Sequence, residues 1–210
     1  MKLIYFLFFL SIFPTHGKHK TLFIGNSLLK RNCFPCMYAK LAPKHINIAT
    51  CLKGSSPLIY HIYNKRCKRK LRKRYKTVLL QEQSQMLLNQ NYNENALKSI
   101  ILQHNDTRIL STWPHENNYY KDERTLRYRY KHLGKKYNVT VVPISLYWTY
   151  TKIFYPHIQL TTDGIHPTRE GTFLAACVTA KNVYKTVTQF KPKKIKKNTY
   201  KLLYKICNSN

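Results

Sequence analysis

Carboxylates are scarce in this 210-residue chain: 8 Asp and Glu stand against 37 Lys and Arg, for a formal net charge of +29. A molecule with that balance is drawn to polyanions, whether nucleic acid, anionic lipid headgroups or acidic glycans, although coding bias toward Lys, Asn, Tyr and Ile accounts for the composition equally well. Other absences narrow the field further. There is no internal repeat, which excludes a solenoid. Cys33-Phe-Pro-Cys36 has the spacing of half a zinc site, but no second CxxC and no HxxxH accompanies it, so a zinc centre is not expected. No zinc-finger, RRM or KH signature is present, which argues against a dedicated nucleic-acid reader. No apolar run is long enough to span a bilayer either: Leu3 to Phe13 is broken only by Ser11 yet falls short of the ~17 to 25 residues a spanning helix needs.

That same run, behind the single positive charge of Lys2 and ahead of the small residues Thr15 and Gly17, reads as a signal peptide over residues 1–17, with a retained membrane anchor as the alternative. Export, periplasmic or secreted, would leave a mature chain from Lys18 and place six cysteines, Cys33, Cys36, Cys51, Cys67, Cys177 and Cys207, in an oxidising compartment. Six cysteines allow fifteen pairings that sequence does not rank. The CxxC pair is expected to be buried or disulfide-forming rather than redox-catalytic, because Gly25-Asn26-Ser27 occupies the strand-to-helix turn a thioredoxin motif would need.

With 43% hydrophobic residues, the chain can bury one substantial core. Nearly continuous apolar runs at Thr21 to Ile24, Ile46 to Ala49, Thr77 to Leu80, Thr107 to Ser111 and Val139 to Ile144 predict strands covered on both faces. Between them, helices are predicted near Leu28 to Leu41, Pro57 to Arg74, Asn93 to His104 and Glu123 to Lys136, with a last one near Thr168 to Thr186. Strict alternation of this kind predicts an α/β fold, a parallel five-stranded sheet with helices on both faces and its crevice at the carboxyl ends of the strands. Tyr147 to Pro156 reads as an aromatic loop that lines a pocket or covers the core. The domain is expected to run from 18 to 190, followed by a basic tail, residues 191–210.

Positive charge concentrates in two places. Lys65 to Lys76 holds nine Lys or Arg in twelve residues, and Lys191 to Lys205 holds seven lysines. Such a run is a solvated face or a polyanion contact, here through Lys65, Arg66, Lys68, Arg69, Lys70, Arg72, Lys73 and Arg74. Asn105-Asp106-Thr107 and Asn138-Val139-Thr140 fit the N-glycosylation pattern of a eukaryotic secretory route.

Two short blocks carry chemistry. In Leu22-Phe23-Ile24-Gly25-Asn26-Ser27, a strand ends in a small turn residue and a serine opens a helix at the crevice, where backbone N–H groups could stabilise an oxyanion. Helix capping is the other role open to Ser27. In Asp163-Gly164-Ile165-His166-Pro167, a carboxylate and an imidazole stand three residues apart, close enough for Asp163 to hold one ring nitrogen and leave the other for Ser27.

Together the blocks resemble those of the SGNH, or GDSL-like, hydrolase family, over a stretch from Thr21 to about Val187. The resemblance implies a flavodoxin-like three-layer α/β/α sandwich and a serine ester hydrolase without metal or organic cofactor, acting on an acylated small molecule, glycan or lipid. Its GDS block reads Gly25-Asn26-Ser27 here, with Asn26 bracing the turn, and its DxxHP block supplies Asp163 and His166. It further implies an oxyanion hole made by Ser27, Gly54 of Lys53-Gly54-Ser55-Ser56 and, in place of the family's GxND, a glutamine of Leu80-Gln81-Glu82-Gln83-Ser84, Gln81 first and Gln83 in reserve. The alternative is a catalytically silent member of the fold that binds a polyanion.

Overall fold

The structure, a computed structural model, describes residues 19–209, so the expected signal peptide lies outside the described residues. Five strands, β1 (His19–Gly25), β2 (Ile46–Leu52), β3 (Thr77–Leu80), β4 (Thr107–Leu110) and β5 (Thr140–Val142), form one sheet in the order β2-β1-β3-β4-β5, every pair parallel. Parallel pairing needs a crossover between successive strands, and helices supply each of them. The expected α/β architecture is what the chain adopts.

Because side chains alternate across a strand, the apolar runs feed two cores. Phe23, Leu79, Leu110 and Val142 face one side, against helices α1 (Ser27–Lys30), α2 (Phe34–Leu41), α8 (Ile144–Phe154), α9 (Arg169–Tyr184) and α10 (Lys197–Asn208). Leu22, Ile24, Val78, Leu80 and Ile109 face the other, against α3 (Leu58–Tyr63), α4 (Lys65–Leu71), α5 (Ser84–Leu88), α6 (Glu94–Gln103) and α7 (Tyr119–Tyr137). From Gly171 to Ala180 every residue of α9 is buried, since that helix lies between the sheet, α2, α8 and α10. Among the described residues no helix is long and apolar enough to cross a membrane.

Three expectations need correction. The helix expected from Pro57 to Arg74 is broken at Asn64, which leaves the helical conformation and caps α4 by accepting from the N–H groups of Arg66 and Cys67. The aromatic stretch expected as a loop from Tyr147 is the body of α8, because Trp148 and Thr151 one turn apart give it a buried face. The segment expected as a basic tail contains α10, whose Leu203, Ile206 and Cys207 pack inward while Lys197, Lys201 and Lys205 stay in solvent.

Two disulfides form, Cys33–Cys36 and Cys177–Cys207; Cys51 and Cys67 are buried thiols, and burial pushes the Cys51 thiol up. Cys177–Cys207 closes a separation of 30 residues and ties α10 to α9. Replacing both cysteines with alanine is expected to lower stability by about 3 to 4 kcal/mol, seen as a reduced urea midpoint. An unchanged midpoint would mean that Leu203 and Ile206 hold α10 without the crosslink.

Candidate active site

β1 ends at Gly25 at the carboxyl edge of the sheet, next to the fully buried Gln81. A Cβ on Gly25 would stand 2.6 Å from Gln81 Oε1 and 2.9 Å from Leu29 Cδ1, so any side chain here would force Gln81 or Leu29 to move. The following residue, Asn26, is the helix cap: its Oδ1 accepts from Leu28 N–H at 3.1 Å and its own N–H donates to Gln81 Oε1 at 2.9 Å. Ser27 is therefore the first helical residue and not the cap, and its hydroxyl is released from capping. On the far side, buried His61 lies 3.0 Å from the Gly25 carbonyl through Nε2 and 3.6 Å from Cys67 Sγ through Nδ1. Gly25→Ala is expected to cost about 1 to 3 kcal/mol of stability through overpacking and to displace Ser27. A wild-type urea midpoint in that variant would contradict the close packing at this turn.

The segment that carries the imidazole is held from several directions. Thr161 and Pro167 form an antiparallel bridge, Thr162 N–H donates to His166 O at 2.8 Å, and Trp113 Nε1 donates to Ile165 O at 2.9 Å. Trp113 is in turn stacked on Trp148 of α8, with ring centroids 3.6 Å apart. Asn32, in the left-handed kink between α1 and α2, reaches across with its Nδ2 to Pro167 O at 2.9 Å and Thr172 Oγ1 at 3.1 Å. Neither Asn32 nor Trp113 belongs to a motif, and each acts on a loop far away in the chain, so nothing in the sequence marks them.

These ties bring Ser27, His166 and Asp163 into one chain of hydrogen bonds. His166 Nε2 lies 3.0 Å from Ser27 Oγ, and His166 Nδ1 lies 2.7 Å from Asp163 Oδ2. An ionised carboxylate only accepts, so Nδ1 carries the proton and Nε2 is left to accept from the serine hydroxyl. Asp163 Oδ1 also accepts from the backbone N–H groups of His166 at 2.7 Å and Ile165 at 3.1 Å. The His166 N–H first, and its ring next, hold the Asp163 carboxyl well below the usual carboxylate range although its side chain is 48% exposed. Asp163 thus stays ionised as pH falls through the range where a free aspartate takes up a proton.

The residues expected around an oxyanion fare differently. Gly54 lies two residues beyond Leu52, which pairs with Gly25, in an open turn at the same sheet edge as Ser27. Gln81 is fully buried, with Oε1 accepting from Asn26 N–H and one of the two Nε2 hydrogens donated to Glu82 O, so its amide braces the turn that precedes Ser27. Gln83 is half-buried at the cap of α5, with its backbone N–H donating to Glu82 Oε1 at 2.7 Å. Glu82 also accepts from Leu58 N–H at 3.3 Å and so joins this turn to the start of α3 just beyond Gly54. Burial raises the Glu82 pKa despite those bonds.

No family model and no curated protein sequence matches the chain. Solved structures do. A DUF4886 family protein from Bacteroides uniformis superposes with a TM-score of 0.72 at 13% identity, covering 91% of this chain and 94% of its own. A lipase/acylhydrolase from Enterococcus faecalis gives 0.62 at 9% identity, covering 83% and 100%. An acetylxylan esterase from Geobacillus stearothermophilus gives 0.57 at 14% identity, covering 80% and 94%. Likeness at such low identity speaks for architecture, and on it the chain has the α/β/α fold of the SGNH, or GDSL-like, hydrolases.

Proposed function

We propose that the protein is a serine ester hydrolase in which Ser27 is the nucleophile, His166 the general base and then acid, and Asp163 the group that fixes the imidazole. The observation that carries this reading is the 3.0 Å approach of His166 Nε2 to Ser27 Oγ, with Asp163 2.7 Å from the opposite ring nitrogen. As Ser27 Oγ attacks the ester carbonyl, its proton passes to Nε2, and the imidazolium that forms is stabilised by the Asp163 carboxylate. His166 returns the proton to the departing alcohol, leaving an acyl-serine. Water then attacks that acyl group, giving its proton to His166, and the serine is restored as the free acid leaves.

Negative charge on the carbonyl oxygen needs donors at the same sheet edge. The N–H groups of Ser27 and Gly54 are the backbone donors in this proposal, with Gln83 the glutamine amide left to join them once Gln81 is engaged. No group among the described residues accepts from Ser27 N–H, while its neighbours Asn26 N–H and Leu28 N–H are both taken. An acylated carbohydrate or lipid is the substrate class proposed, supported by an acetylxylan esterase and a lipase/acylhydrolase among proteins of the same fold. The leader over residues 1–17 would place the activity outside the cytoplasm.

The test is turnover of short-chain nitrophenyl esters by the purified protein, with Ser27→Ala as control. Hydrolysis by the wild type alone is the expected result. Equal rates in the two proteins would remove the serine mechanism.

A further inference from the structure

At the amino edge of the sheet, opposite Ser27, a cleft of about 840 Å³ opens between the end of α4 and the end of α6. Arg72, Lys73, Arg74 and Lys76 line it, together with Tyr75 and His104. Among the described residues none of these four cations pairs with a carboxylate. The one carboxylate in the cleft, Asp106, is already held by Arg108 at 3.0 Å and by Thr77 Oγ1 at 2.7 Å. His104 is 8% exposed, its ring meets Tyr75 edge to face at 5.9 Å, and its Nε2 has no hydrogen-bond partner among the described residues. Nearby, burial first and then the charges of Lys44 and Lys76 hold the His19 pKa below its ordinary value, against an opposing pull from Asp106. Four unpaired cations over a cleft with an unsatisfied imidazole lack an anion the chain itself supplies.

We propose that this cleft is a binding site for a linear sulfated glycan, separate from the hydrolytic site. The half-buried Tyr75 ring offers the apolar face of a sugar something to stack on, and the flanking guanidinium and ammonium groups match sulfate esters on either side. A bilayer is flat and does not enter a concave cleft. Single-stranded nucleic acid prefers a series of stacking aromatics, and the cleft lining contains one, Tyr75. Lys76 N–H bonds Lys20 O at the far end of β1, so the cleft and Ser27 lie roughly 20 Å apart at ~3.3 Å per strand residue. A glycan held there leaves the Ser27 edge open, and the two sites can be occupied together. This inference does not depend on ester hydrolysis.

Heparin oligosaccharide is the probe, measured by calorimetry and by salt elution from immobilised heparin. Reversing Arg72, Lys73 and Arg74 to glutamate is expected to weaken binding by roughly 100-fold and lower the salt dependence by about three released ions. Reversing Lys197, Lys201 and Lys205 on α10, across the sheet from the cleft, makes the same change in net charge and is expected to cost under about threefold. The Arg72→Gln, Lys73→Gln, Arg74→Gln protein, which adds no carboxylates, should show the same loss as the glutamate set while keeping the wild-type melting temperature. Equal losses from the cleft set and the α10 set would overturn the proposal, because net charge alone would then explain retention. So would displacement of heparin by DNA or by phosphatidylserine vesicles at lower charge concentration than by a sulfated glycan.

Discussion

Ester hydrolysis is expected to fall by on the order of 10⁵-fold or more in the Ser27→Ala protein, with the residue of activity no longer dependent on a covalent intermediate. Asn26 caps the helix and accepts from Leu28 N–H, Gln81 holds the Asn26 N–H, and Gly25 admits Gln81 at close range. None of these contacts uses the Ser27 hydroxyl, whose one side-chain partner among the described residues is His166. Removing that oxygen should therefore leave the turn, the fold and the melting temperature intact while deleting the attacking atom. A variant that loses activity because it unfolds would betray itself by a lowered urea midpoint.

Asp163→Asn should be nearly as damaging, by roughly 10³- to 10⁴-fold, almost all of it in kcat. Asparagine at 163 can keep an oxygen on the backbone N–H groups of Ile165 and His166, so the loop is expected to hold its shape. Its nitrogen, however, would face His166 Nδ1 and donate where the carboxylate accepts. The imidazole would then carry its proton on Nε2 and be unable to take the one from Ser27. Because Asp163 is 48% exposed, solvent shares in stabilising the imidazolium, which puts the expected loss below that of the nucleophile. Wild-type kcat in a folded Asp163→Asn protein would show that His166 needs no fixed partner.

Much of this was legible in advance because parallel strands buried on both faces read as unbroken apolar runs. Thr77 to Leu80 was expected as a strand and is β3 without change. The blocks around Ser27 and His166 were legible for another reason: a strand-turn-helix junction and a three-residue spacing are local features. What the sequence hid was long-range or directional. Asn32 meets Pro167 across 135 residues, and nothing near Asn32 announces it. The sequence places Gln81 at the end of β3, but that its Oε1 accepts from Asn26 N–H while its Nε2 donates to Glu82 O is a matter of side-chain direction that no pattern encodes. In α10 the three lysines Lys197, Lys201 and Lys205 are interleaved with the inward Leu203, Ile206 and Cys207, and within a run of positive charge that spacing along one face is easily overlooked.

Reaction of the wild-type protein with a fluorophosphonate, followed by mass spectrometry of its peptides, tests the hydrolase reading most directly, since the probe captures an activated serine without requiring knowledge of the substrate. The account predicts one phosphonylated residue, Ser27, with labelling lost in Ser27→Ala and strongly slowed in Asp163→Asn. A label at another serine, or none on a folded protein at any concentration that marks a serine hydrolase, would contradict it.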